Sequence, residues 1–124
     1  MKYLLIMQVN HEILDALTED ERKLVMEGHG ALQKTLEDSG EFILTQALGD
    51  PATSTVVTGV GSGAAPVVTD GPFLEAKEFM GGYYLLDVAS KERAIELAQQ
   101  LPDASIDGLA LEIRPVVFSA GRNA

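Results

Sequence analysis

Apolar residues in this chain alternate between short unbroken runs and one long helical period, and the order of these patterns predicts β-α-β, a hairpin, then β-α-β. Residues 2–9 carry Tyr3, Leu4, Leu5, Ile6, Met7 and Val9, a nearly continuous apolar run of strand length, as expected for a buried strand. Thr18-Glu19-Asp20-Glu21 then reads as a Thr-x-x-Glu capping box, with acids in the first turn where the helix dipole favours them. Leu24, Val25, Gly28, Ala31, Leu32, Thr35 and Leu36 follow at helical spacing, and Gly40 marks the stop.

Residues 41–48 predict a second strand that ends at Gly49-Asp50-Pro51. Seven of the 12 glycines lie between 49 and 82, so that stretch reads as irregular or hairpin-like. Thr53–Val60 and Ala65–Thr69 are expected to pair across Gly61-Ser62-Gly63-Ala64. A strand at residues 82–88 follows the turn at Pro72 and Phe73. Ser90 caps a second helix with Ala94, Leu97, Ala98 and Leu101 on its apolar face, and Pro102 stops it. The last strand spans residues 109–118. His11 and Asp15 fall before the capping box, in what reads as a solvated loop. This order predicts an α+β fold, a ferredoxin-like βαββαβ subunit with an inserted central hairpin and both helices on one face. The open face of such a sheet needs a cover, and with two helices only, a second copy is the simplest one, giving a sheet-on-sheet homodimer.

Composition narrows the function classes. The 124 residues suit a single domain, 1–124, and 46% hydrophobic content is enough for an ordinary core. Nine basic against 19 acidic residues leave a net charge of -10, which disfavours nucleic acid and anionic membrane surfaces as partners. With no cysteine, disulfides, thiolate metal sites and Cys nucleophiles are excluded. Residues 3–7 form too short an apolar run for a signal-peptide core, and no window approaches the ~20 apolar residues of a membrane span, so a cytoplasmic location is expected. No nucleotide, flavin or haem fingerprint is present, and no cofactor or metal is expected: Gly59-Val60-Gly61-Ser62-Gly63 lacks the Gly-Lys-Ser/Thr ending of a phosphate loop.

Two places carry chemistry. His29 lies beside the helical stripe between Gly28 and Gly30, each of which weakens a helix by about 1 kcal/mol relative to alanine, so a close approach by a strand or ligand is expected there. A histidine in that position is a candidate general base. The second place is Val67 to Glu78. Asp70-Gly71-Pro72 suits a turn, and Phe73, Glu75, Lys77 and Glu78 hold a ring and both charge signs just beyond it. Tyr83 and Tyr84 point to opposite faces of their strand, so only one can join a pocket; Tyr84 is taken as that residue. Arg114 is a candidate anchor for a carboxylate or a partner for one of the chain's acids.

The segments Gly28-His29-Gly30-Ala31, Val68 through Glu78, Gly81-Gly82-Tyr83-Tyr84 and Glu112-Ile113-Arg114-Pro115-Val116 resemble the DGPF group of the YciI-like superfamily. That resemblance implies a dimeric α/β barrel of ferredoxin-like subunits. In the wider superfamily it implies a dyad of a helical His with an Asp, and His29 matches the histidine. Where the superfamily commonly has an Asp-Pro pair at the end of the second helix, this chain has Leu101-Pro102. Asp70 is then the candidate acid, if its loop folds back over the first helix. One reading is an enzyme with His29 as base, Asp70 orienting it, and Lys77 and Arg114 binding a small anionic or aromatic ligand. The other is a non-catalytic ligand-binding or regulatory module, as for relatives linked to sigma factors.

Overall fold

A computed structural model describes residues 1–72 and 78–122. Strand β1 (Lys2–Val9) is followed by helices α1 (His11–Ala16) and α2 (Glu19–Ser39), strand β2 (Phe42–Ala47), strands β3 (Thr55–Thr58) and β4 (Val67–Asp70), strand β5 (Phe79–Asp87), helix α3 (Lys91–Gln99) and strand β6 (Ala110–Pro115). Four strands form one sheet in the order β2-β5-β1-β6, with every neighbouring pair antiparallel. Strands β3 and β4 pair separately, Thr55 opposite Asp70. The protein is thus α+β, with an antiparallel sheet and three α-helices among the described residues, an arrangement compatible with a ferredoxin-like fold.

The expected start and stop of α2 hold. The Thr18 hydroxyl accepts from the Glu21 amide and the Glu21 carboxylate accepts from the Thr18 amide, while Gly40 closes the helix at φ 77°. Residues 11–16 correct the expectation of a loop: Asn10 accepts from the amides of Glu12 and Ile13 and starts a six-residue helix. His11 is not freely solvated either, since it packs near Phe79 and its Nε2 is buried without a partner. Among the described residues there is therefore one α-helix more than the apolar periodicity predicts.

Register explains where the core lies. Leu5 stands opposite Tyr84 on β5 and Ile113 on β6, and Tyr3 opposite Leu86. These side chains share one face, which packs against Leu32 and Leu36 of α2 and Ala94, Leu97 and Ala98 of α3. The buried edge of α2 differs from the expected stripe, because Leu24 is exposed. Gly28, His29, Leu32 and Leu36 are the positions turned toward the sheet and the segment after α3. That rotation points His29 at β5.

A bidentate ion pair fastens α3 to the start of β2. Arg93 Nε and Nη2 donate to Glu41 at 3.0 and 2.9 Å. The Arg93 hydrogen bonds hold the Glu41 carboxyl below its ordinary value of 4.5, against the opposing effect of burial. A carboxyl depressed in the folded state stabilises the fold above its unfolded pKa and loses that contribution as pH falls through the folded value. Glu41→Gln is therefore expected to be less stable than the parent at neutral pH, with the gap closing as the pH drops below 4.5. Urea unfolding of both proteins across that range checks it; a gap unchanged by acid would show that the pair does not act through charge.

Candidate functional site

Helix α2 has no side chain at residue 28, and this lets the segment after α3 come close. A Cβ built on Gly28 would lie 2.2 Å from Cδ of Pro102 and 2.5 Å from its Cγ, closer than packed atoms allow. The neighbouring Gly30 would meet nothing within 4 Å. Of the two glycines flanking His29, Gly28 has a packing reason and the approaching group is a proline ring. Pro102 opens a 3₁₀ turn, Pro102–Ser105, whose next residue, Asp103, is buried at 7% exposure. Its carboxylate lies 3.0 Å from His29 Nε2.

The other ring nitrogen, Nδ1, lies 2.7 Å from the hydroxyl of Tyr84, which also accepts from Gln33 Nε2 at 3.4 Å. The His29 and Tyr84 rings stack at 10° with centroids 5.8 Å apart. Burial pushes the Tyr84 phenol above its ordinary value of 10.0, the Asp103 charge adds to this, and the Gln33 and Thr45 side chains offset part of it. These groups sit in a cleft of about 330 Å³ lined also by Met7, Thr45, Gln46, Ala47 and Gly81. That is the small end of the range for ligand pockets.

The sequence-derived candidates divide on the structure. His29 and Tyr84 meet in the cleft, and Tyr83 turns to the other face, where its hydroxyl bonds Gln46. Asp70 is not the acid beside His29. It is exposed on β4, in the separate two-stranded sheet, where the next amide, of Gly71, donates to the Ser54 carbonyl. Arg114 does not line the cleft; it pairs with Glu112 on β6, with two thirds of its side chain exposed. Glu78 is exposed, and Phe73, Glu75 and Lys77 lie outside the described residues. The sequence reading does not reach Asp103, although the resemblance points to Leu101-Pro102 as the place for an acid. The carboxylate follows the proline instead of preceding it, and a Pro-Asp pair closing an apolar helix was the available signal.

Among the described residues no helix is long and apolar enough to cross a membrane, and no group of three His, Asp or Glu side chains is placed to hold a metal ion. The fold and cleft together define a small α+β protein with a His, an Asp and a Tyr converging between its first long helix, its sheet and the turn after α3. The family model of the YCII-related domain matches residues 1–117, and the chain belongs to that family. It is 30% identical over 118 residues to an uncharacterized protein of Rhizobium meliloti (strain 1021), an overlap covering 95% of this chain and 94% of that one.

Proposed function

We propose that this protein is a small-molecule acid–base enzyme of the DGPF type whose cleft works through His29 and Asp103. The observation that carries the reading is the 3.0 Å contact between His29 Nε2 and the buried Asp103 carboxylate at the cleft wall. A carboxylate in that place sets the tautomer of the imidazole and stabilises its protonated form, as a proton-transferring histidine requires. Asp103 takes the role expected of Asp70. Among the described residues the cleft has no Lys or Arg lining it, so an uncharged aromatic or carbonyl compound suits it better than an anion.

The test is a screen of small uncharged phenols and ketones, with binding and turnover followed by NMR. His29→Ala and Asp103→Asn are expected to lower turnover by about 100-fold or more, the usual contribution of acid–base catalysis, while the fold persists. Binding with no turnover in the parent protein would favour the second reading, a ligand-binding module. That reading draws support from the neutral polar lining, Gln33 and Thr45. In either case we place a second copy on the open face of the sheet, where Leu4, Leu85 and Leu44 stand in one row across β1, β5 and β2. Light scattering is expected to give twice 13.2 kDa, and a monomer at all concentrations would remove the dimer.

A further inference from the structure

We infer that the atom exchanging a proton with the ligand is the phenolic oxygen of Tyr84, with His29 and Asp103 as the relay behind it, and that the ligand is an uncharged, weakly acidic compound. This rests on the acid–base reading and changes which atom touches the ligand. A carboxylate accepts hydrogen bonds and does not donate them, so a neutral His29 bonded to Asp103 carries its hydrogen on Nε2. Nδ1 is then a lone pair, and the Tyr84 hydroxyl 2.7 Å away donates to it. Both nitrogens are occupied by protein groups. The 20% of the His29 side chain that stays exposed gives a ligand no free ring nitrogen.

Tyr84 differs. Its hydroxyl gives its one hydrogen to His29 and receives a long bond, 3.4 Å, from Gln33, while the nearby Thr45 hydroxyl donates to the Tyr83 carbonyl at 2.9 Å, so an acceptor position on the oxygen remains weakly used. The residue is 1% exposed and forms part of the cleft lining, so what it offers a ligand is a small, desolvated polar point. A standing phenolate is disfavoured there because burial raises the phenol. The relay avoids one. As the ligand's proton reaches the Tyr84 oxygen, the tyrosine's own proton passes to Nδ1. One ligand C–H or O–H bond breaks and a new O–H bond forms at Tyr84, while the old O–H bond breaks and an N–H bond forms on His29. The ligand becomes an anion, Tyr84 stays neutral, and the imidazolium is held by Asp103. Reversal returns the proton. The ligand enters uncharged because no cation lines the cleft among the described residues, Asp103 borders it, and the chain carries a net charge of -10.

Hydroxyacetone and 2-hydroxyacetophenone in D₂O are suitable probes, with loss of the proton beside the carbonyl followed by ¹H NMR. The full-length protein is expected to accelerate exchange, and Tyr84→Phe to slow it by about 100-fold or more. If Tyr84→Phe exchanges as fast as the parent while His29→Ala does not, His29 is itself the base: the inference falls and the acid–base reading stands. A parent protein inert toward both probes overturns the two together. A second readout needs neither variant nor probe: ¹⁵N NMR of the parent is expected to show His29 as the Nε2–H tautomer with Nδ1 accepting a hydrogen bond, and an Nδ1–H tautomer would overturn the relay.

Discussion

Gly28→Ala is expected to cut turnover by about 100-fold, the scale of loss that a misplacement near 1 Å brings to a catalytic group. The added methyl would lie 2.2 Å from Cδ of Pro102, a ring atom that cannot rotate away. Helix α2 or the Pro102–Ser105 turn must move, and Asp103, next in the chain, moves with the turn. Stability responds less than activity, because two effects oppose. Alanine in place of a helical glycine gains about 1 kcal/mol, and overpacking costs about 1–3 kcal/mol. Gly30→Ala isolates the first effect, since nothing lies within 4 Å of its Cβ position, and is expected to stabilise the protein by about 1 kcal/mol. Urea unfolding of both variants, with ¹⁵N shifts of His29, decides the matter. Equal stabilisation by both, with the His29 spectrum undisturbed, would show that Pro102 yields freely and that Gly28 does not set the site.

Leu5→Ala is expected to be the most destabilising of the single changes considered, by about 2–5 kcal/mol from a total that for a domain of this kind is about 5–15 kcal/mol. Leu5 is fully buried in the central strand β1, between Tyr84 on β5 and Ile113 on β6. Strands on both sides limit how far the cavity can collapse, which puts the cost toward the upper end. A fall of roughly 10 °C or more in Tm is anticipated, read by calorimetry. Since the cavity would open beside Tyr84, a shifted His29 resonance is expected too. A loss under about 1 kcal/mol would mean that the helices repack over the gap.

Local patterns carried most of this fold because the signals involved are themselves local. The reciprocal bonds of Thr18 and Glu21 span three residues, and the left-handed stop at Gly40 depends on one residue's lack of a Cβ. The runs at β1 and β5 were visible because strands covered on a face are apolar over a few residues. Helix α1 escaped because six residues are too few to establish a period, and its only marker is the Asn10 cap. The buried edge of α2 was misjudged at Leu24 for a related reason: a helix shows its stripe to within about one residue's rotation, and packing selects the face.

Sequence alone determined the element order apart from α1, the α2 limits, His29 as the residue to follow, and, at Gly28 though not at Gly30, the need for something close. What approaches Gly28, and which acid and hydroxyl bracket the imidazole, only the tertiary structure decided. The Asp103 carboxylate reaches His29 across 74 positions and the Tyr84 hydroxyl across 55. No turn, cap or period relates residues that far apart; their meeting follows from strand register and from how closely a proline ring can pack on a helix without a side chain.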